Sequence, residues 1–255
     1  MTTQAIRGGV ARLWLLNFIT TAAALAAWYL WLLFPDAHGW QVAGSVLFAV
    51  TVVVLMLWVR AGTLAYCRVT AFRDSGAVWR AFRQSLRHLV ALALWAIVLL
   101  AVLFWLIWLR RYPPQFGVWL WQVLPGLQRV ASPRQLMQGA DWLLWILIWV
   151  IVPAVWLPIA TNIAAAGFGQ RLVHSLRVLK RPMYWLWFCL LMWIGAYIPY
   201  KLIWWIPAVD DLRKQAWSVG LRFSAAYVIV ITAWMALAWM AGVRTSREEA
   251  GDQEG

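Results

Sequence analysis

The chain has 255 residues, 64% of them hydrophobic and 12% charged, whereas soluble domains are about half apolar with about a quarter charged. That balance, with a positive mean hydropathy, excludes an ordinary soluble fold and leaves room for about six spans of ~20 residues with short loops. The net charge is +13, from 22 basic and 9 acidic residues. Because the basic residues border apolar runs, lipid phosphate rather than nucleic acid is the expected partner. All but Lys180, Lys201 and Lys214 are arginines, whose planar fork can bind phosphate oxygens in pairs.

The first apolar run covers 13–34 and follows Arg7 and Arg12. Ala24-Leu25-Ala26 would suit signal-peptide cleavage. The run outlasts a signal h-region, however, and continues as WYLWLLF, so it reads as a retained span. Pro35, Asp36 and Gly39 mark a short turn. The second run covers 42–66, with Arg60 expected to snorkel to the interface.

Residues 78–88 read VWRAFRQSLRH. Arg80, Arg83 and Arg87 share one helical stripe; Trp79, Phe82, Leu86 and Leu89 form another. The pattern predicts a basic amphipathic helix lying in the membrane interface. The third run is 89–109. The long connection 110–141 contains a short apolar piece, 118–124, read as interfacial or re-entrant because it cannot span.

The fourth run, 142–166, carries Pro153 and Pro158, which predict kinks. An echo of the basic segment follows, QRLVHSLRVLK at 170–180. Leu172, Val173, Leu176 and Leu179 form its apolar side, with Arg171, His174 and Arg181 opposite. Ser-Leu-Arg at 85–87 recurs at 175–177, each time between two spans, which suggests an internal duplication. The fifth run is 183–206, its last turn expected to break near Pro199 and Lys201. A polar connector at 207–217 precedes the sixth run, 223–243. The tail, 244–255, reads as polar and disordered. The expected fold is an all-α polytopic membrane bundle: one domain over 1–243, about six spans and two basic amphipathic interfacial helices.

With the N-terminus inside, 14 basic residues fall on inner segments and 8 on outer ones. The positive-inside rule therefore favours both termini in the cytoplasm. Arg73, Arg80, Arg83, Arg87, Arg171, Arg177, Lys180 and Arg181 are the candidates for anionic headgroup binding. The arrangement of residues 60–109 and 160–205, two basic amphipathic segments leading into spans, resembles the membrane domain that some bacteria fuse to glycerophosphoryl diester phosphodiesterases, and related stand-alone six-span proteins. The resemblance is one of layout. It implies a bacterial inner-membrane protein and carries over no catalytic residue.

Chemistry-bearing residues are sparse. Cys67 and Cys189 have no CxxC or Cys/His spacing and read as buried free thiols. His88 and His174, which flank the two Ser-Leu-Arg echoes with an offset of one helical face, are the candidate ligands for a haem or pigment; a polar headgroup contact is the plainer role. His38 stands apart in a turn. Asp36, Asp74, Asp141, Asp210 and Asp211 read as turn or edge residues. The spans then offer Asn17, Thr20, Thr21, Thr51, Thr161 and Asn162 as polar groups. Pro153, Pro158, Thr161 and Asn162 are the candidate cavity lining, with interhelical hydrogen bonding as the alternative. Among 23 tryptophans, those near span ends (Trp28, Trp31, Trp105, Trp108, Trp142, Trp204, Trp205) suit an interfacial belt. Trp95, Trp149 and Trp193 lie deeper and read as packing residues. No catalytic set, metal site or cofactor is expected. The functional expectation is a non-catalytic scaffold, assembly factor or accessory subunit, whose partners are membrane lipids and other membrane subunits or itself. A transporter or lipid-handling protein is the alternative and a pigment-binding subunit the lesser one.

Overall fold

In hydrocarbon each backbone N–H and C=O must find its partner inside the segment, so long apolar runs fold as helices. The computed structural model describes residues 3–33, 38–69, 77–124, 126, 131–168, 175–205 and 211–251. Every regular element among them is helical. They are α1 (Thr3–Leu32), α2 (Gly39–Val69), α3 (Ala77–Arg87), α4 (Leu89–Leu109), α5 (Pro113–Val123), α6 (Pro133–Ile146), α7 (Val152–Ala166), α8 (Pro182–Met192), α9 (Ile198–Trp204) and α10 (Leu212–Gly251). Among the described residues, six stretches are long and apolar enough to cross a membrane: Gly9–Leu32, Gly39–Arg68, Leu89–Leu109, Pro133–Ala166, Pro182–Trp204 and Arg213–Gly242. The chain is an all-helical integral membrane protein.

Two of these stretches contain a widened turn. Leu147–Ile151 joins α6 to α7 and Trp193–Tyr197 joins α8 to α9, both as π-helix. Each ends two residues before a proline, Pro153 and Pro199. Proline lacks the N–H and crowds the carbonyl four residues back; an extra residue in the preceding turn absorbs that mismatch. The fifth span therefore does not break at Pro199, which is buried, and runs on through Lys201 to Trp204. Pro158 stands inside α7, which remains α-helical around it.

The chain divides into two compact units, Met1–Ala93 with Pro158–Gly255, and Leu94–Leu157. In the larger unit α2 packs on α1, α3 and α10, and α10 also packs on α1, α8 and α9. Leu13, Leu64, Tyr66, Ile163, Tyr184, Phe188 and Ile231 are fully buried there. Close approach sets several contacts. A Cβ on Gly62 would fall 2.6 Å from the Phe82 ring, so the absent side chain lets α3 seat on α2. One on Gly195 would fall 2.6 Å from the Ala233 Cβ.

In the smaller unit α5 packs against α6. The Gly117 Cα faces the Met137 backbone too closely for any side chain between them. Arg110 Nε donates to Asp141 Oδ1 at 2.7 Å, an exposed ion pair. The hydrogen bond that Arg110 donates to Asp141 stabilises its charged form and raises its pKa above the ordinary arginine value. The long connection over 110–141 thus holds α5, which takes in most of the short apolar piece, and the first turns of α6, so Asp141 lies within a helix. The reason is a capping box at Ser132. Its hydroxyl accepts from the Gln135 N–H, the Gln135 side chain accepts from the Ser132 N–H at 2.8 Å, and Pro133 takes the first helical position.

Other expectations change too. The helix that carries the sixth span starts at Leu212, eleven residues before the expected 223, and its backbone stays helical to Gly251 where disorder was expected. Extending an existing helix needs no new nucleus, and Arg247, Glu248 and Glu249 are good helix formers. In the echo, Leu176–Lys180 is a 3-10 turn, not an α-helix, and Val178 rather than Leu176 or Leu179 is fully buried. Arg181 ends it in an extended conformation, φ −91° and ψ 118°, as a residue before proline requires. Residues 169–174 lie outside the described residues.

Candidate functional site

The larger unit holds a polar seam between α1, α2 and α10. Asn17 and Thr63 are 0% exposed. Asn17 Nδ2 donates to Thr63 Oγ1 at 2.9 Å and to the Leu13 carbonyl at 2.9 Å. Arg60 Nη1 donates to Asn17 Oδ1 at 2.9 Å, and Nη2 donates to Thr21 Oγ1 at 3.0 Å. The guanidinium also lies over the Trp234 ring, 5.0 Å from its centroid, within cation–π range. Further along, Trp14 Nε1 donates to Thr232 Oγ1 at 3.2 Å and the Tyr227 hydroxyl donates to the Phe18 carbonyl. Arg60 therefore does not snorkel along its own helix. It turns across to α1, where two neutral side-chain oxygens accept from it, with the Trp234 ring of α10 beside it.

A second polar contact ties α2 to α7. Arg68 Nη1 donates to Asn162 Oδ1. Asn162 and Thr161 are buried, and Gln84 on α3 donates to the Ala165 carbonyl at 2.8 Å. The residues read as cavity lining are thus packed: Pro158, Thr161 and Asn162 are buried and Pro153 is half-buried.

A groove of about 610 Å³ lies elsewhere, between α1, α2 and α3. Its wall on α1 is Thr20, Ala23, Ala24 and Ala27, a stripe at helical spacing. Val52, Leu55, Met56 and Val59 on α2 face it, Trp79 and Phe82 on α3 complete its lining, and Arg12 lines it from α1. Alanines leave the space that larger side chains would fill. Sequence reading missed this groove, although the run TTAAALAA at 20–27 was its signal.

The arginines of α3 are exposed: Arg80, Arg83 and Arg87. The buried face of α3 is Ala81, Phe82 and Ser85, however, while Trp79 is 65% and Leu86 48% exposed. The anchor is Phe82. Its carbonyl accepts from Trp58 Nε1 at 3.1 Å, and its ring meets Trp58 edge-on, 6.0 Å between centroids. Arg177, Lys180 and Arg181 are also exposed. Arg73, Arg171 and His174 lie outside the described residues. His88 is half-buried, its ring against Gly167, where φ is +77° and a side chain would fall 2.9 Å from Nδ1. Of the two cysteines, Cys67 is buried but Cys189 is exposed. Trp149 and Trp193, expected inside, are about half exposed; on a helix crossing lipid, that surface suits an apolar ring.

Comparison of the chain with protein-family models, with curated proteins and with solved structures returns no match.

Proposed function

We propose that this protein is a non-catalytic scaffold, assembly factor or accessory subunit of a larger membrane complex. The observation that supports the reading is the engagement of the intramembrane polar groups with one another. Asn17, Thr21, Arg60 and Thr63 bond across α1 and α2, and Arg68 bonds to Asn162. Ion-coupled transporters place ionisable groups along a pathway or water-filled cavity; here the polar side chains act between helices as adhesive. The bias of basic residues and the resemblance in layout support the bacterial cytoplasmic membrane, with both termini inside. Exposed arginines on α3 suit contact with anionic lipid headgroups. The test is purification of tagged protein from native membranes in gentle detergent, with mass spectrometry of what accompanies it. A stoichiometric membrane partner is expected. A lone monomer or homo-oligomer would overturn the scaffold reading.

A second reading, lipid handling, is favoured by the groove. Its volume of about 610 Å³ lies within the roughly 300–1,000 Å³ of ligand pockets. Reconstituted protein would then move a labelled phospholipid between leaflets or vesicles faster than empty vesicles do. Equal rates would exclude it.

A further inference from the structure

We propose that the groove between α1, α2 and α3 holds one acyl chain of an anionic phospholipid, with the lipid's phosphate at Arg12. The proposal deepens the lipid-handling reading by naming the ligand class, and a lipid held permanently is compatible with the scaffold reading too.

Three features lead to it. The first is shape. Residues 12–27 of α1 cover about 22 Å at ~1.5 Å per residue, more than the ~15 Å that is half of a ~30 Å hydrocarbon core. The groove's floor is buried (Ala24, Val59, Phe82), while Leu55 and Trp79 on its walls are 51% and 65% exposed. It is therefore a trough open along one side, which a chain can enter sideways from the bilayer.

The second is chemistry along its length. Beyond Arg12, the polar groups on the α1 and α2 walls are the Thr20 hydroxyl, which donates back to the Leu16 carbonyl at 2.7 Å, and the Trp58 indole N–H, which donates to the Phe82 carbonyl. A polar ligand body would leave its own groups unpaired there; methylenes would not.

The third is charge. Arg12 lines the groove, is exposed, and has no hydrogen-bond or ion-pair partner among the described residues. It is five residues before Asn17, toward the start of α1. α1 and α2 run antiparallel, as the pairs Asn17–Thr63 and Trp31–Ser45 require. The end of α2 that leads to α3 thus lies beside Arg12, and exposed Arg83 follows Phe82 by one residue. An unpaired guanidinium at the head of an apolar trough complements a phosphate above an acyl chain. A neutral apolar ligand would leave Arg12 without its counterpart.

The test uses the full chain in vesicles. One set contains a phosphatidylglycerol with a photoactivatable group in its acyl tail, the other a phosphatidylcholine with the same tail. Adducts are mapped by mass spectrometry. The expected result is enrichment of phosphatidylglycerol adducts at Ala23, Ala27, Val52 and Leu55 over other exposed apolar residues. Arg12→Gln should lower them roughly fivefold, the factor one basic residue beside an anionic lipid supplies. Ala23→Leu with Ala27→Leu should abolish them; both positions lie at the groove surface, so the substitution fills it without entering the core. Adducts spread evenly over all spans, or equal for the two headgroups, or unchanged in the filled variant, would each overturn the proposal. Lipid transfer is measured in parallel on the same vesicles. Groove adducts without transfer would keep this site and remove the lipid-handling reading; transfer without groove adducts would do the reverse.

Discussion

Arg60 donates to the side-chain oxygen of Asn17 at 2.9 Å, across 43 residues of sequence, and Asn17 passes the connection on to Thr63. The bond joins α1 to α2, and the Trp234 ring beneath the guanidinium adds α10. Three spans are thus fastened at one point by polar groups that would be costly to leave facing lipid.

Asn17→Ala and Arg60→Leu should therefore couple. Interhelical hydrogen bonds in membranes contribute about 0.6 kcal/mol on average and up to ~1.7; a cation–π contact adds about 0.5–2 kcal/mol. Each variant loses two hydrogen bonds between helices, and Arg60→Leu loses the ring contact as well, so it should be the more destabilising of the two. Unfolding in mixed micelles checks this. The double variant should be less destabilised than the sum of the single variants; strict additivity would mean the two side chains do not communicate.

Gly62→Ala should loosen α3. Its Cβ would sit 2.6 Å from the Phe82 ring, and overpacking of this kind costs about 1–3 kcal/mol. Phe82→Leu removes the ring that causes the clash, so the pair should be less destabilised than Gly62→Ala alone. Protease sensitivity around residue 80, compared among the three variants, reads the effect. No rescue would assign the strain elsewhere.

In the smaller unit, Ser132→Ala should cost more than Asp141→Asn. Loss of a capping serine costs about 1 kcal/mol; an exposed ion pair such as Arg110–Asp141 is worth about 0–1 kcal/mol and is screened by salt. Hydrogen exchange over residues 133–146 provides the comparison. A larger effect from Asp141→Asn would show that the ion pair lies in a less solvated setting than its exposure implies.

The two thiols should differ. Cys67 is 2% exposed, against an exposed Cys189. A small membrane-permeant maleimide should modify Cys189 in the folded protein and reach Cys67 only after denaturation. Rapid native labelling of Cys67 would contradict its burial.

Replacing Arg80, Arg83 and Arg87 with Gln should reduce retention of anionic lipid and blur the orientation in the membrane. Each basic residue near an anionic surface contributes about 1 kcal/mol. Lipid extracted with purified protein, and the fraction of molecules in each orientation, are the quantities to compare. No change in either would remove the arginines from the account of α3.

Hydropathy made the six apolar stretches readable in the sequence, because a spanning helix must hide its backbone and shows it by an unbroken apolar run. Their limits were less readable. The Ser132, Pro133, Gln135 capping signal lies in a polar stretch, so α6 starts nine residues before the apolar run that suggested it. The face that α3 buries was also obscured. Its periodicity marks Trp79, Phe82 and Leu86, but a glycine on another helix, Gly62, selects Phe82 and brings Ala81 and Ser85 with it. Arg60 looked like a boundary residue because its acceptors, Asn17 and Thr21, are on a different span. The groove was hidden for the opposite reason: it is made by what Ala23, Ala24 and Ala27 lack.

The claim on which the rest stands is that six helices cross the membrane. It is tested most directly by single cysteines in a Cys67→Ala, Cys189→Ala background, labelled with an impermeant maleimide in intact cells and again after opening the membrane. The account predicts that His38→Cys, Arg134→Cys and Asp211→Cys react in intact cells, whereas Arg83→Cys and Lys180→Cys react only after opening. Labelling of Arg83→Cys and His38→Cys from the same side would contradict it, because an odd number of crossings must then be missing between them.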